Sequence, residues 1–190
     1  MNDLDYVKIR KASPEDASEL VNIYSYYVKN TAVTFEYEVP SIDEFKDRIS
    51  RTLERYPYYV AYTDREGIIG YAYAGAFNPR AAYSWCATLS IYVKKDLRKR
   101  GVGKMLYLKL EETLIKQNFV KILAIINPSD DEYTSFGSKY FHERMGFKIS
   151  GLFKNVGYKF NRWYDIIYMD KQLCQPKEMM PAITEFNKLK

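Results

Sequence analysis

In the stretch Leu89-Ser90-Ile91-Tyr92-Val93-Lys94-Lys95-Asp96-Leu97-Arg98-Lys99-Arg100-Gly101-Val102-Gly103-Lys104-Met105-Leu106-Tyr107-Leu108-Lys109-Leu110-Glu111-Glu112-Thr113-Leu114-Ile115 the hydrophobic period changes once. Leu89, Ile91 and Val93 alternate with Ser90 and Tyr92, the period of a strand. From Gly101 onward Val102, Met105, Leu106, Leu110 and Leu114 fall on one helical face, with Lys104, Lys109, Glu111, Glu112 and Lys116 off it. Between strand and helix lies Arg98-Lys99-Arg100-Gly101-Val102-Gly103. Glycines at a helix entrance let the main chain approach a ligand closely. The free N–H groups and dipole of a first helical turn favour an anion there, and the flanking Lys and Arg add full charges. On spacing alone two readings stay open: a phosphate cradle, or an ordinary strand-to-helix turn beside a solvated charge run. A Walker A loop is excluded because GxxxxGK[ST] is absent, and the dinucleotide fingerprint lacks its third glycine.

Working outward, 190 residues make one domain with room for a substantial core, here 1–190 as a single unit with its core at about 6–173 and a tail from 174. A 47% hydrophobic and 28% charged composition is globular. No apolar run is long enough to span a bilayer, and the acidic start Met1-Asn2-Asp3-Leu4-Asp5 has no apolar signal region, so a cytoplasmic protein away from the membrane is expected. Cys86 and Cys174 have no CxxC and no neighbouring ligands, which argues against a metal site or a disulfide framework. The formal charge is +5. Residues 94–104 hold six basic residues against Asp96, and the rest of the chain balances at 23 of each sign. A nucleic-acid binder spreads its basic residues along a face. Confinement of the excess to one loop suits a compact phosphorylated ligand instead.

In chain order, Tyr6–Arg10 alternates as a first strand. Ser13-Pro14-Glu15-Asp16 has the N-cap, N1 proline and acidic first turn of a helix start. Residues 31–40 are an irregular connection, and Ser41-Ile42-Asp43-Glu44 is a capping box opening a helix to about Arg55. Strands are predicted at Tyr58–Thr63, Ile68–Ala76 and Tyr83–Val93. After the glycine loop and its helix come a buried strand at 121–127, a polar loop at 129–138 and a short helix at 139–145. Strands follow at 147–152 and 163–173 with a turn near 155–162, and a terminal helix at 181–189 is an option. This order is a mixed α/β layer structure of about seven strands and about four helices.

The motif Arg98-Lys99-Arg100-Gly101-Val102-Gly103 resembles the acyl-CoA loop of the GNAT superfamily of N-acetyltransferases, in its phosphinothricin-acetyltransferase-like branch. Further stretches carry the resemblance in the branch's order: Ile9–Ala12, Val33–Glu36, Gly70–Ala74, Ala82–Trp85, His142–Phe147 and Gly157–Asp165. The resemblance implies the GNAT fold, a twisted mixed sheet splayed into a wedge that takes acetyl-CoA. It implies that Ile91, Tyr92 and Val93 hold the pantetheine arm, that Arg98, Lys99, Arg100, Gly101, Val102, Gly103 and Lys104 hold the pyrophosphate, and that Asn127 contacts the cofactor. It further implies a small-molecule amine acceptor, an amino acid or an analogue such as phosphinothricin or methionine sulfone, and a homodimer.

Acetyl transfer needs a neutral amine, although an alkyl amine has a pKa near 10.4, and it needs help for the departing thiolate. His142, the one histidine, is the branch's candidate proton donor to that thiolate. The branch's pattern after Ala-Tyr-x-Trp is Thr-Val-Glu, and this chain reads Cys86-Ala87-Thr88, so a threonine stands where a carboxylate base is expected. Glu36 is the carboxylate that could replace it. Phe35, Tyr83, Trp85 and Thr88 are the further acceptor-side candidates, with core packing the competing reading for the aromatics. The segment from Asn127 to His142 exceeds the branch's usual spacing and reads as a surface loop or a lid. Loss of the carboxylate keeps a second function in view: an acetyl-CoA-binding protein of the same fold with lost or altered catalysis.

Overall fold

The computed structural model describes residues 7–97, 100–130 and 137–189. Its strands are β1 (Lys8–Lys11), β2 (Tyr58–Thr63), β3 (Gly67–Ala76), β4 (Cys86–Val93), β5 (Lys121–Ile126), β6 (Lys148–Lys159) and β7 (Arg162–Gln172). Its helices are α1 (Ala17–Asn30), α2 (Ile42–Arg55), α3 (Val102–Lys116) and α4 (Gly137–Arg144). The strands form one sheet in the order β1-β2-β3-β4-β5-β7-β6. All neighbours are antiparallel except β4 and β5, which are parallel. A parallel pair needs a crossover, and α3 supplies it. The GNAT-type mixed sheet with four helices is therefore the architecture of the described residues.

Two cores lie on opposite faces of the sheet. On one, four of the five residues of the predicted stripe of α3, Val102, Leu106, Leu110 and Leu114, are fully buried against Ala72 and Ala74 of β3, Ala87 and Leu89 of β4 and Ile122 and Ala124 of β5, while Met105 is partly exposed. On the other, α1 and α2 cover an aromatic cluster of Tyr24, Tyr27, Phe45, Tyr58, Tyr71 and Tyr92. The alternation of β4 divides it between them: Ala87, Leu89 and Val93 face α3, and Tyr92 faces α1. The helix starts follow the sequence signals. Ser13 caps a 3₁₀ turn over Pro14–Asp16 that leads into α1, and Ser41 Oγ accepts from the N–H of Glu44 at 3.1 Å to begin α2.

Three boundaries differ from those read in the sequence. β4 starts at Cys86, because Pro79 and an Asn78 side chain that accepts from the N–H of Arg80 lead into a 3₁₀ turn over Ala81–Tyr83. β6 runs on to Lys159 through two register shifts, at Ile149/Gly151 and Phe153/Gly157. The hairpin turn is confined to Phe160 and Asn161, both at positive φ (51° and 57°), as a two-residue turn requires.

The third difference is the C-terminal segment, which is neither a loose tail nor a helix. It runs extended, with a single 3₁₀ turn at Phe186–Lys188, and is fastened along the sheet. Gln117 Nε2 donates to Thr184 O at 2.7 Å, Asn118 Nδ2 to Ala182 O at 2.9 Å and Trp85 Nε1 to Pro181 O at 2.9 Å. Phe186 enters the α3-side core edge-on to Tyr59, with Lys11 over its ring. Replacing a buried phenylalanine by alanine loses both transfer free energy and packing. Phe186→Ala is therefore expected to lower stability by about 3 kcal/mol, read as a fall in the urea midpoint. Removing residues 175–190 is expected to cost at least as much.

Candidate active site

The parallel pairing of β4 and β5 is short. Only Cys86, Ala87 and Thr88 pair, with Lys121, Ile122 and Leu123. Beyond them β4 continues to Val93 along β3, and β5 continues to Ile126 along β7. Their facing edges have no ladder between them, which is the expected wedge. The N–H of Lys94 donates to Ile69 on the β3 side. Main-chain groups alternate between the two edges of a strand, so those of Ile91 and Val93 face the wedge. Ile91 thus offers an N–H and a carbonyl to the gap. Val93 does not: the Tyr27 hydroxyl donates to its carbonyl at 2.6 Å and accepts from its N–H at 3.2 Å. At Val93, where the resemblance implies a pantetheine contact, both main-chain groups already have Tyr27 as a partner. Tyr92 is engaged elsewhere. Its ring lies in the aromatic core, at 5.0 Å from Tyr24 and from Tyr27, on the face away from α3.

At the mouth of the wedge Gly101 adopts φ +88°, a left-handed conformation natural to glycine, and no side chain caps the helix that follows. The first intrahelical bond is from the N–H of Met105 to Gly101 O, so the N–H groups of Val102, Gly103 and Lys104 point out of the helix start. Val102 is buried by its side chain, and Arg100 and Lys104 are exposed beside the opening. Arg98 and Lys99 lie outside the described residues, as does most of the long segment before α4.

The face of β4 opposite α3 carries Thr88 and Ser90, both half-buried. Thr88 Oγ1 reaches Gly75 O at 3.4 Å. Ser90 hydrogen-bonds the Tyr73 hydroxyl, and burial raises the pKa of Tyr73. The loop 31–37 also belongs to this side of the sheet. Its Thr34 hydroxyl pairs with Tyr24 at 2.8 Å. Glu36 Oε1 accepts from Arg48 Nη1 of α2 at 2.8 Å, and Arg48 Nε also donates to Glu44 at 3.1 Å. The Phe35 ring lies against Gly157 so closely that a Cβ there would be 2.2 Å away, and its centroid is 6.1 Å from that of Tyr164. Asn127 is buried at the end of β5. Its Nδ2 donates to Ala32 O at 3.4 Å and its Oδ1 accepts from the N–H of Ser129 at 2.9 Å, so its amide ties the wedge's edge to this loop.

The remaining candidates separate. Tyr83 is exposed in its 3₁₀ turn with its ring on Phe77, and Trp85 spends its indole N–H on Pro181. Trp85 is thus a fastening point for the C-terminal segment. His142 is buried on α4 among Tyr107, Phe141 and Phe147. Its Nδ1 is 2.8 Å from Ser138 O, and a carbonyl only accepts, so Nδ1 carries the proton of the neutral ring and Nε2 the lone pair. Burial lowers its pKa, opposed in part by the Ser138 carbonyl. In the neutral ring Nε2 is therefore an acceptor, and donation from it to a thiolate would require the imidazolium, which burial disfavours. Among the described residues no group of three or more His, Cys, Asp or Glu could hold a metal ion, and no helix is long and apolar enough to cross a membrane.

Comparison with known proteins matches this architecture. The sequence fits the family described as Acetyltransferase (GNAT) domain over residues 9–168. It is 30% identical over 177 residues, 93% of each chain, to a phosphinothricin N-acetyltransferase of Streptomyces viridochromogenes. It is 32% identical over 166 residues, 87% of this chain and 94% of the relative, to an L-methionine sulfoximine/L-methionine sulfone acetyltransferase of Pseudomonas aeruginosa. A phosphinothricin acetyltransferase of Sinorhizobium meliloti, solved in complex with AcCoA, superposes with a TM-score of 0.85 at 32% identity, covering 95% of this chain and 98% of that one. The chain belongs to the GNAT family of N-acetyltransferases.

Tyr27, Arg48, Tyr73 and Lys159 bear on the site without standing out in the sequence. Tyr27 and Tyr73 are positions in ordinary apolar stripes. Arg48 sits four residues after Glu44, where it reads as a helix-surface ion pair. Only the fold brings these residues to Val93, Ser90 and Glu36. The His142 geometry also has a pH signature. A histidine whose folded pKa lies below its unfolded value of about 6.5 takes up its proton more readily in the unfolded chain. Its contribution to stability is present above about pH 6.5 and is lost as pH falls below it. His142→Gln is expected to flatten the decline in urea midpoint between pH 7 and pH 5 relative to the wild type.

Proposed function

We propose that this chain is an acetyl-CoA-dependent N-acetyltransferase that acts on the amino group of a small amino-acid-like acceptor. The observation that carries the reading is the splayed β4–β5 pair with an uncapped helix start at its mouth, beside a face bearing Thr88, Ser90 and Glu36. The residues fit the cosubstrate. Free N–H groups at the start of α3, with Arg100 and Lys104, suit a pyrophosphate, and the open N–H and carbonyl of Ile91 suit an amide-bearing arm. The names of the relatives, phosphinothricin N-acetyltransferase and methionine sulfoximine/sulfone acetyltransferase, support the acceptor class.

In the reaction the amine nitrogen bonds the acetyl carbon, the carbon–sulfur bond breaks with the electron pair leaving on sulfur, and the amine gives up a proton. We assign Glu36 to the acceptor's amino group. Arg48 holds its Oε1, and no other hydrogen bond among the described residues engages Oε2, which is the oxygen we assign to the ammonium and its proton. Thr88 supplies a hydroxyl for positioning, since a threonine is no base near neutral pH. A thiol of pKa about 8.5 leaves as thiolate without a dedicated donor, so His142 is assigned to packing α4 against α3 rather than to proton delivery.

The test is thiol release on a panel of amines that includes phosphinothricin, methionine sulfoximine and methionine sulfone. Loss of a positioned base lowers rate by about 100-fold or more. Glu36→Gln is expected to show that loss with its best acceptor, and Thr88→Ala a loss under about 10-fold. Equal, small effects of both would remove Glu36 from the mechanism. The second reading, a CoA-binding protein with lost or altered catalysis, is favoured by Thr88 alone. Acetyl-CoA binding by calorimetry with no thiol release on any amine would establish it.

We further assign the chain to a cytoplasmic homodimer. Support comes from the outermost strand, β6, on which Leu152, Phe153 and Val156 are each about half exposed (53%, 51% and 49%). Unpaired, apolar edge strands favour association. Light scattering is expected to give a dimer mass for the wild type and a monomer mass for Leu152→Ser combined with Val156→Ser. A monomeric wild type would refute the assignment.

A further inference from the structure

Lys159 ends β6 just before the hairpin turn, and it is 3% exposed. Lysine is seldom buried unless a carboxylate pairs with it, and none does so here among the described residues. Its Nζ instead donates to two main-chain carbonyls, Thr31 O at 2.9 Å and Thr34 O at 2.8 Å, with the Phe160 ring centroid 5.1 Å away. Burial lowers its pKa, and the nearby Glu36 charge opposes that in part. An ammonium taken out of water is costly and is tolerated where its hydrogen bonds are strong and well placed.

Both acceptors belong to one loop. They bracket Ala32, whose carbonyl is held by Asn127, and they immediately precede Phe35 and Glu36. A few residues further on, the Tyr37 hydroxyl donates to Tyr158 O, the residue before Lys159 in β6. The Phe35 ring meanwhile rests on Gly157 of the same strand. The end of β6 thus grips this loop from its first residue to its last, and the one charged group in the grip spans 125 residues of sequence to reach Thr34.

We propose that Lys159 is the positioning residue of the acceptor side. Its buried ammonium fixes the carbonyls of Thr31 and Thr34, which sets Phe35 against Gly157 and Tyr164 and Glu36 beside Arg48. This rests on the reading of Phe35 and Glu36 as acceptor-contacting groups. It assigns Lys159 no contact with the acceptor and no proton transfer. The cosubstrate wedge meets this loop through Asn127 and is otherwise built from main-chain groups of β4 and the start of α3.

Lys159→Met keeps the stem and removes the donors. With its far-UV circular dichroism unchanged, the variant is expected to raise the acceptor KM at least tenfold while the acetyl-CoA KM moves less than twofold. Amides of residues 31–37 are expected to exchange hydrogen at least tenfold faster than in the wild type. Lys159→Gln, which retains two N–H donors on a shorter stem, is expected to recover part of both effects and carries the test should the methionine variant not fold. An unchanged acceptor KM, unchanged exchange in 31–37, or a rise in acetyl-CoA KM equal to that in acceptor KM would overturn the proposal. If the wild type acetylates no amine, the functional reading fails, and the exchange comparison still decides whether Lys159 holds the loop.

Discussion

The parallel contact between β4 and β5 lasts for three residue pairs and then stops, and the rest of the structure is arranged around that interruption. A strand in the middle of a sheet normally has both edges satisfied, since buried main-chain polar groups left unpaired are costly. β4 is satisfied on its β3 side along its whole length and on its β5 side only at its start. Something must answer the remaining groups. At Val93 the answer is a side chain, the Tyr27 hydroxyl acting as donor and acceptor at once. At Ile91 no side chain takes that part, and in the proposed reading the cosubstrate does. The crossover helix α3 begins at the open end of the same gap, with its first N–H groups unspent. An incomplete ladder and an uncapped helix thus face one another across a few residues of chain, and both want the same kind of ligand.

The opposite side of the site is held by other means. The loop 31–37 has no ladder of its own. It is secured by Lys159, Asn127, Tyr24 and Arg48, one each from β6, the end of β5, α1 and α2. Each is one side chain reaching from a rigid element, and Lys159 makes two of the contacts. Groups that must be placed to within a fraction of an ångström are best supported in this way, with their own rotamers fixed by neighbours. Asn127 joins the two halves, since it closes β5 at the wedge and holds Ala32 of the acceptor loop.

The stretch from Leu89 to Ile115 was legible because its signal is local. A change from period two to period 3.6 across a glycine turn is written within the residues that fold together, and the same holds for the caps at Ser13 and Ser41. The mixed sheet and its wedge-like opening followed from the resemblance and are present in the fold. What the sequence hid depends on partners far along the chain. Trp85 reads as a site aromatic beside Tyr83, and its indole in fact fastens a segment almost a hundred residues later. The C-terminal residues read as a tail because their apolar content is sparse, yet one phenylalanine and several main-chain carbonyls suffice to hold them. His142 stands at the place expected for a proton donor, and only the carbonyl of Ser138 shows which nitrogen holds the proton. Lys159 looks like a surface residue of a polar hairpin, since no local pattern signals a buried ammonium.

The two halves of the site therefore differ in what could change them. The wedge is built from main-chain groups and from glycine geometry, which side-chain substitution elsewhere barely alters. A TM-score of 0.85 at 32% identity is what such a backbone-defined frame allows. In the proposed reading the acceptor side is built from side chains: Thr88, Ser90, Phe35, Glu36, Arg48 and Lys159. One substitution there can redirect the chemistry while leaving the frame intact. Thr88 is that kind of residue. Its hydroxyl is turned toward Gly75 on the face shared with Ser90, where the branch's pattern expects a carboxylate. In the proposed reading Glu36 is the carboxylate that remains on this side, and it comes from a loop rather than from the sheet. A base on β4 would be placed by the ladder itself. A base on loop 31–37 is only as well placed as its anchors, and so in the proposed reading the acceptor chemistry depends on a buried lysine that holds the loop's carbonyls.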